Sequence, residues 1–227
     1  MVIKTKQRAA PKPNGGGKAA KSGGCRRRGP RQDNRRALLL DAAARQFGGR
    51  GYHAVTMREI AAGADMLAGS VYYHFPSKDD LLIAVYEEGV RRLADRVEAA
   101  VADIDDPWNR LTAACRAHAN MLLDDSDYAQ VILSVHPADV PPGQDRLIAL
   151  RDAYEEQFRT MIEALPLPPG TNRAALRFTL LGALNWSKNW YRPGAMTPAQ
   201  ISREILDILR CRLAEPATGT DLPEPGG

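Results

Sequence analysis

Apolar side chains recur along most of this chain at intervals of three and four, and no stretch alternates with the period of two that a half-buried strand requires. The period begins at Asp33. Leu40, Ala43, Ala44 and Phe47 share one face of a helix predicted over 33–48, which the glycines at 48–51 stop. Thr56-Met57-Arg58-Glu59 is a capping box, in which the threonine hydroxyl and the glutamate satisfy each other's backbone donors. It opens a short helix ending near Gly63, and a third short helix follows over 67–75. Ser77-Lys78-Asp79-Asp80 is a second box and starts a long helix to about Ala102. Asp106-Pro107 supplies a cap and a proline at the first helical position. Further helices are predicted over 107–124, 126–135, 144–165 and 171–191, with breaks at 136–143, 166–170 and 192–195. Thr197-Pro198-Ala199-Gln200 opens the last, to about Ala214. The fold class is therefore all-α, with about nine helices.

Two short helices joined by a tight turn, the first of them well capped, make a helix-turn-helix, whose second helix lies in the DNA major groove. That gives a role to SVYYHFPSKDDLL, which begins at Ser70. Groups that hold a duplex in register are mostly donors to phosphate. Ser70, Tyr72, Tyr73 and His74 ride the second short helix, Thr56 begins the first, and Lys78 stands at the start of the next, where helix dipole and charge both favour an anion. Val71 and Phe75, four apart, would then face a three-helix core with Phe47 and Ile60.

The run RRALLLDAAARQFGGRGYHAVTMREIA…GSVYYHFPSKDDLL, from Arg36 to about Val85, resembles the DNA-binding domain of the TetR (tetracycline-repressor) family of transcriptional regulators. The resemblance rests on Phe47, the Arg50-Gly51-Tyr52 turn, Thr56, Arg58-Glu59-Ile60-Ala61, Gly69, Tyr72, Phe75, Ser77, Lys78 and Leu81. It implies that Thr56, Ser70, Tyr72, Tyr73, His74 and Lys78 contact DNA, mostly its backbone, and that Leu67, Ala68 and Gly69 lie nearest the base edges. Asp65 departs from the pattern, because the family commonly has glycine at that turn position.

The formal charge of +4 hides a split: residues 1–36 hold twelve Lys or Arg against the single acid Asp33, which leaves the remainder at −7. Residues 1–32, rich in Gly, Pro, Lys and Arg, read as a disordered basic arm, and 215–227 as a disordered tail. The arm suits phosphate binding, although GC-rich codons alone would give a similar composition. Cys25, Cys115 and Cys211 are odd in number and far apart, which argues for free thiols and against a zinc site. No membrane span, secretory signal, cofactor loop, metal motif or catalytic constellation is visible, so cytoplasmic location without a cofactor is expected. An adaptor binding protein through its acidic half, or an architectural DNA protein using the arm alone, are the rival readings.

The organisation expected is a basic arm (1–32), a DNA-binding domain (33–80), and a helical ligand-binding and dimerisation domain (81–214). The resemblance implies that the second domain takes a small effector and dimerises through its last two helices. Leu180, Leu184, Ile201, Ile205 and Ile208 are the apolar positions expected at that interface, unless one protomer buries them itself. Leu111, Cys115, His118 and Leu122 share one helix face, and Leu147, Arg151, Tyr154, Phe158 and Met161 another. A polar group in an apolar stripe is where a ligand's polar end is read. It is also how a satisfied core histidine or a solvent-reaching arginine looks. Cys115, His118, Leu122, Arg151, Tyr154, Phe158 and Trp186 are the candidate effector contacts. ALNWSKNWYRPGAMTP, from Ala183, together with LAGSVYYHF resembles the subgroup of regulators of fatty-acid or steroid catabolism. That implies release from DNA by an acyl-CoA thioester, with an efflux-type response to another hydrophobic molecule as the alternative.

Overall fold

Three helix starts announced by the sequence are closed by reciprocal side-chain caps. In the computed structural model, which describes residues 30–123 and 126–214, the Thr56 and Ser77 hydroxyls accept from the backbone of Glu59 and Asp80, whose carboxylates take the cap N–H in return. Thr197 and Gln200 do the same. Each box satisfies two of the four donors that a helix N-terminus leaves without partners.

Among the described residues the chain forms nine α-helices and no strand. They are α1 (Pro30–Arg50), α2 (Met57–Gly63), α3 (Ala68–His74), α4 (Lys78–Val101), α5 (Pro107–Leu123), α6 (Asp127–Ser134), α7 (Gln144–Glu163), α8 (Arg173–Trp190) and α9 (Pro198–Ala214). Two 3₁₀ turns, Pro137–Asp139 and Pro141–Gly143, fill the proline-rich break before α7. Two boundaries differ from expectation. The first helix begins at Pro30, so 30–32 belong to it and not to the arm; residues 1–29 and the tail 215–227 lie outside the described residues. Helix α8 is capped by Asn172, whose Oδ1 accepts from Ala175 N–H at 2.9 Å, while the Thr171 hydroxyl is occupied with the Pro168 carbonyl.

The core runs through the molecule without interruption. Phe47, Ile60, Val71 and Phe75 close the three-helix end, and Leu81, Leu82 and Val85 carry the same cluster into the body along α4. Phe47 is 1% exposed, so truncating it to alanine should cost about 3–5 kcal/mol. Helices α5, α7, α8 and α9 pack into the body, while short α6 lies against both α1 and α4. That contact is close because of two glycines. A Cβ on Gly48 would stand 2.9 Å from the Asp127 carbonyl oxygen, and one on Gly89 would stand 3.0 Å from Ile132.

Candidate DNA interface and effector cavity

Helix α3 divides cleanly between inside and outside. Val71 is fully buried and Phe75, just past the helix end, nearly so. Leu67, Tyr72 and Tyr73 are 81%, 52% and 76% exposed, large apolar and aromatic side chains with no core to fill. Gly69 is exposed, while Ala68, Ser70 and His74 are half-buried at the edge of this face. The His74 ring stands edge-on to Tyr73, with centroids 5.5 Å apart. The turn before α3 depends on Asp65, which adopts φ 53° where a glycine would cost nothing. Short acidic side chains are among the few that visit this region.

Lys78 does something the sequence does not reveal. Its Nζ donates to the carbonyls of Tyr52 and Val55, each at 3.0 Å, and sits 4.3 Å from the centre of the Tyr52 ring. Two of its three N–H donors are thus spent bracing the α1–α2 loop onto the start of α4. The Tyr52 hydroxyl donates to Asp79 on the same turn. Burial and that carboxylate together raise the phenol above its ordinary value. Thr56 is exposed, but its hydroxyl is bonded to Glu59 at 2.7 Å. Arg50 reaches the other oxygen of Glu59 at 2.7 Å and, with Thr56, holds that carboxyl down at about 2.

In the body, a cavity of ≈ 110 Å³ lies between α4, α5, α6, α7 and α8. Tyr86, Val90 and Leu93 of α4 form one wall; Leu122, Ile132, Leu133 and Leu181 form most of the rest. A polar chain crosses it. The Tyr154 hydroxyl donates to His118 Nδ1 at 2.6 Å, and His118 Nε2–H donates to Asn185 Oδ1 at 3.0 Å. Burial pushes the imidazole down to about 4, so it is neutral and bridges two helices as donor and acceptor. Burial also raises the Tyr154 phenol.

Residues 39–85 match the family model of bacterial regulatory proteins, tetR family, and residues 104–213 that of the tetracyclin repressor-like C-terminal domain. Over 189 residues, 78% of this chain and 92% of the relative, the sequence is 31% identical to the HTH-type transcriptional repressor KstR2 of Mycobacterium tuberculosis. The chain belongs to the TetR family. It is a transcriptional regulator, and its relatives are not enzymes. The HTH-type transcriptional activator FasR of Mycolicibacterium smegmatis is 40% identical over 111 residues, 48% of this chain and 51% of that protein. Among solved structures, AibR in complex with isovaleryl coenzyme A and operator DNA superposes with a TM-score of 0.68 at 27% identity, covering 77% of this chain and 97% of AibR.

Within this TetR-family body the expected effector residues separate. His118, Leu122, Arg151 and Tyr154 line the cavity. Phe158 is fully buried behind it, edge-on to the rings of His118 and Tyr154, each 5.7 Å away. Cys115 is buried outside the lining, its thiol pushed up to about 12 by desolvation. Trp186 is 66% exposed and lines a separate cleft. The expected interface residues need a larger correction. Leu180, Leu184 and Ile201 have at most 1% of their surface exposed inside one protomer, so they are core and have nothing to offer a partner. Ile205 is half-buried, and Ile208 is 68% exposed. On α8 the large apolar side chains that are exposed are instead Phe178, Trp186 and Trp190. Sequence reasoning also missed Asn185 and the α4 wall, although Tyr86, Val90 and Leu93 carry the helical spacing of an inward face. Among the described residues no group of His, Cys, Asp or Glu gathers as a metal site, and no helix is long and apolar enough to cross a membrane.

Proposed function

We propose that this regulator binds a near-palindromic operator as a homodimer in the cytoplasm and is a repressor released by an acyl-CoA thioester. The DNA-reading unit spans 33–80 and the effector and dimerisation unit 81–214. The observation that carries the reading is the position of the cavity. Its walls include α4 and α6, and these two helices also pack on α1 of the DNA-reading unit. Tyr128 of α6 donates to Asp41 of α1 at 2.7 Å, and Arg92 of α4 reaches the same carboxylate at 3.2 Å. An occupant that moves either helix therefore moves the three-helix end.

In this reading Leu67, Ala68 and Gly69 approach the bases, and Ser70, Tyr72, Tyr73 and His74 the phosphates. Thr56 and Lys78 offer what their internal bonds leave over. Two α3 helices about one DNA turn (~34 Å) apart would read the half-sites. A ligand shifts such an equilibrium only by its differential affinity, so the effector must bind the form whose spacing does not fit DNA. Similarity over nearly the whole length to a repressor favours repression over the activation seen in a relative matched over half of its length. The acyl-CoA class is favoured by the likeness to AibR, whose complex contains one.

The test is fluorescence anisotropy on DNA upstream of the protein's own gene, at two salt concentrations, with and without a panel of acyl-CoAs. Tight, salt-sensitive binding relieved by a thioester is expected. Tight binding that no thioester relieves would remove the effector class and leave the regulator.

A further inference from the structure

Salt-sensitive affinity for DNA comes from cations that displace the counterions on its phosphates, and the helix-turn-helix unit is short of them. Residues 33–80 hold six Lys or Arg against six Asp or Glu, so their formal charge is zero. Three of those cations already have partners. Arg50 is held by Glu59 at 2.7 Å, Arg45 lies 3.9 Å from Asp127, and Lys78 Nζ donates to the Tyr52 and Val55 carbonyls. That leaves Arg35, Arg36 and Arg58 for the backbone of a duplex. Asp65, exposed at the turn before α3, adds a charge of the same sign as the phosphates.

The missing charge lies in front of α1. Residues 1–29 carry nine Lys or Arg and no acid, and the rest of the chain stands at −5 without them. A net-negative body is repelled by a duplex at long range. The fold fixes where the positive charge is delivered. The Arg36 guanidinium lies 5.6 Å from the centre of the Phe75 ring, and Phe75 is the residue that ends α3. The first turns of α1 therefore flank the recognition helix. Six residues separate Arg36 from the start of α1 at Pro30, about 9 Å of helix. Arg28, Arg27 and Arg26 stand two, three and four residues before Pro30, so covalent geometry alone keeps them within about 14 Å of that point. A duplex in contact with α3 presents one phosphate charge per ~1.7 Å of its axis, so several phosphates fall inside this radius.

From this distribution of charge we infer that residues 1–29 are a second DNA-binding site. They form a polybasic arm that grips phosphates beside each half-site and supplies most of the salt-dependent affinity, while α3 supplies the sequence preference. The inference rests on the operator-binding reading above and adds the residues that carry its electrostatics. Arginine and lysine neutralise phosphates whatever the base sequence, so the arm contributes affinity without selecting a site. Its composition also argues against a protein partner. From Lys4 to Gly29 there is no Val, Ile, Leu, Met or aromatic side chain, and a protein interface needs such groups at its centre.

Anisotropy titrations of the full chain between about 50 and 200 mM salt test this, on the duplex upstream of its own gene and on a random duplex of equal length. The wild type is compared with two triple variants, Arg26→Gln/Arg27→Gln/Arg28→Gln and Arg26→Lys/Arg27→Lys/Arg28→Lys. All three positions precede α1, so the helix-turn-helix core is untouched. In the glutamine variant, log affinity plotted against log salt should be shallower by about 0.9 for each phosphate no longer neutralised, up to about 5 for the six arginines of a dimer. Affinity near 100 mM salt should fall at least about tenfold on both duplexes alike, which leaves the operator preference where it was. The lysine variant keeps the charge and should keep the wild-type slope. A glutamine variant with the slope and affinity of the wild type would overturn the arm's role while the operator reading stands. A loss confined to the operator duplex would overturn it too, because phosphate contacts do not select a sequence. A lysine variant as weak as the glutamine one would remove charge as the cause. A wild type that binds neither duplex at the lowest salt would take down the operator reading and the arm together.

Discussion

His118 is held at about 4 by burial, against an ordinary value of 6.5, and the Asn185 contact offsets only part of that displacement. Between these two values the unfolded chain binds a proton that the folded chain refuses. Stability from this group is therefore fully present above about pH 6.5 and is lost as pH falls toward 4. The displacement corresponds to on the order of 3 kcal/mol. Urea denaturation at pH 7 and at pH 5 should show the wild type losing more stability across that step than His118→Phe does. Equal losses in the two proteins would mean that the imidazole is not the group refusing the proton. A second residue, Asp65, shows how a local departure is absorbed. The turn keeps its left-handed geometry with an aspartate in the glycine position, so the shape of the helix-turn-helix is retained and only the charge beside it changes.

Helix α6 has eight residues and touches three regions at once, with Ile132 and Leu133 at the cavity, Tyr128 on α4 and α1, and its first turn against Gly48. Gly48→Val would drive a side chain into the Asp127 carbonyl, and backbone cannot yield as a flexible side chain does. We expect a loss of about 1–3 kcal/mol in thermal or urea denaturation. Effector-induced release from the operator should weaken further than that loss explains, because α6 would no longer bear on α1. Unchanged release in a destabilised but folded variant would assign transmission to α4 alone. None of this role is legible in the sequence, where 126–135 reads as one more amphipathic helix. Legibility follows how local the determinants are. Caps at Thr56, Ser77, Asp106 and Thr197 fix helix starts within four residues of sequence, and the starts of α2, α4, α5 and α9 fall where those caps put them. The cavity is assembled from five helices, so the sequence exposes only those residues whose polarity interrupts an apolar stripe, such as His118 and Tyr154. Leu180, Leu184 and Ile201 mislead for the same reason. Periodicity identifies the apolar face of a helix and is silent on whether that face turns toward its own core or a partner.

At the scale of the whole molecule, a single protomer leaves Phe178, Trp186 and Trp190 of α8 and Ile208 of α9 in solvent, while Leu176, Leu180, Leu181 and Leu184 of α8 and Ile201 and Leu206 of α9 are packed inward. Large apolar side chains exposed together on adjacent helices are what a two-fold four-helix contact would cover. The packing of α8 on α9 within one protomer supplies half of such a bundle. Ile208→Glu is the sharpest probe, because the side chain is 68% exposed and so its replacement should leave the protomer's stability within about 0.5 kcal/mol. Sedimentation velocity should show the variant as a monomer at concentrations where the wild type is a dimer. Operator affinity should fall by about 10²-fold or more, since two recognition helices that bind as one unit would then bind separately. The α3 surface is untouched by the change, and a half-site oligonucleotide should bind wild type and variant equally. A variant that remains dimeric with full operator affinity would place the two-fold contact elsewhere and return Ile208 to the ordinary surface. A monomer that still holds the full operator tightly would instead mean that one protomer reads DNA alone, and the effector could not then act by changing the distance between two α3 helices.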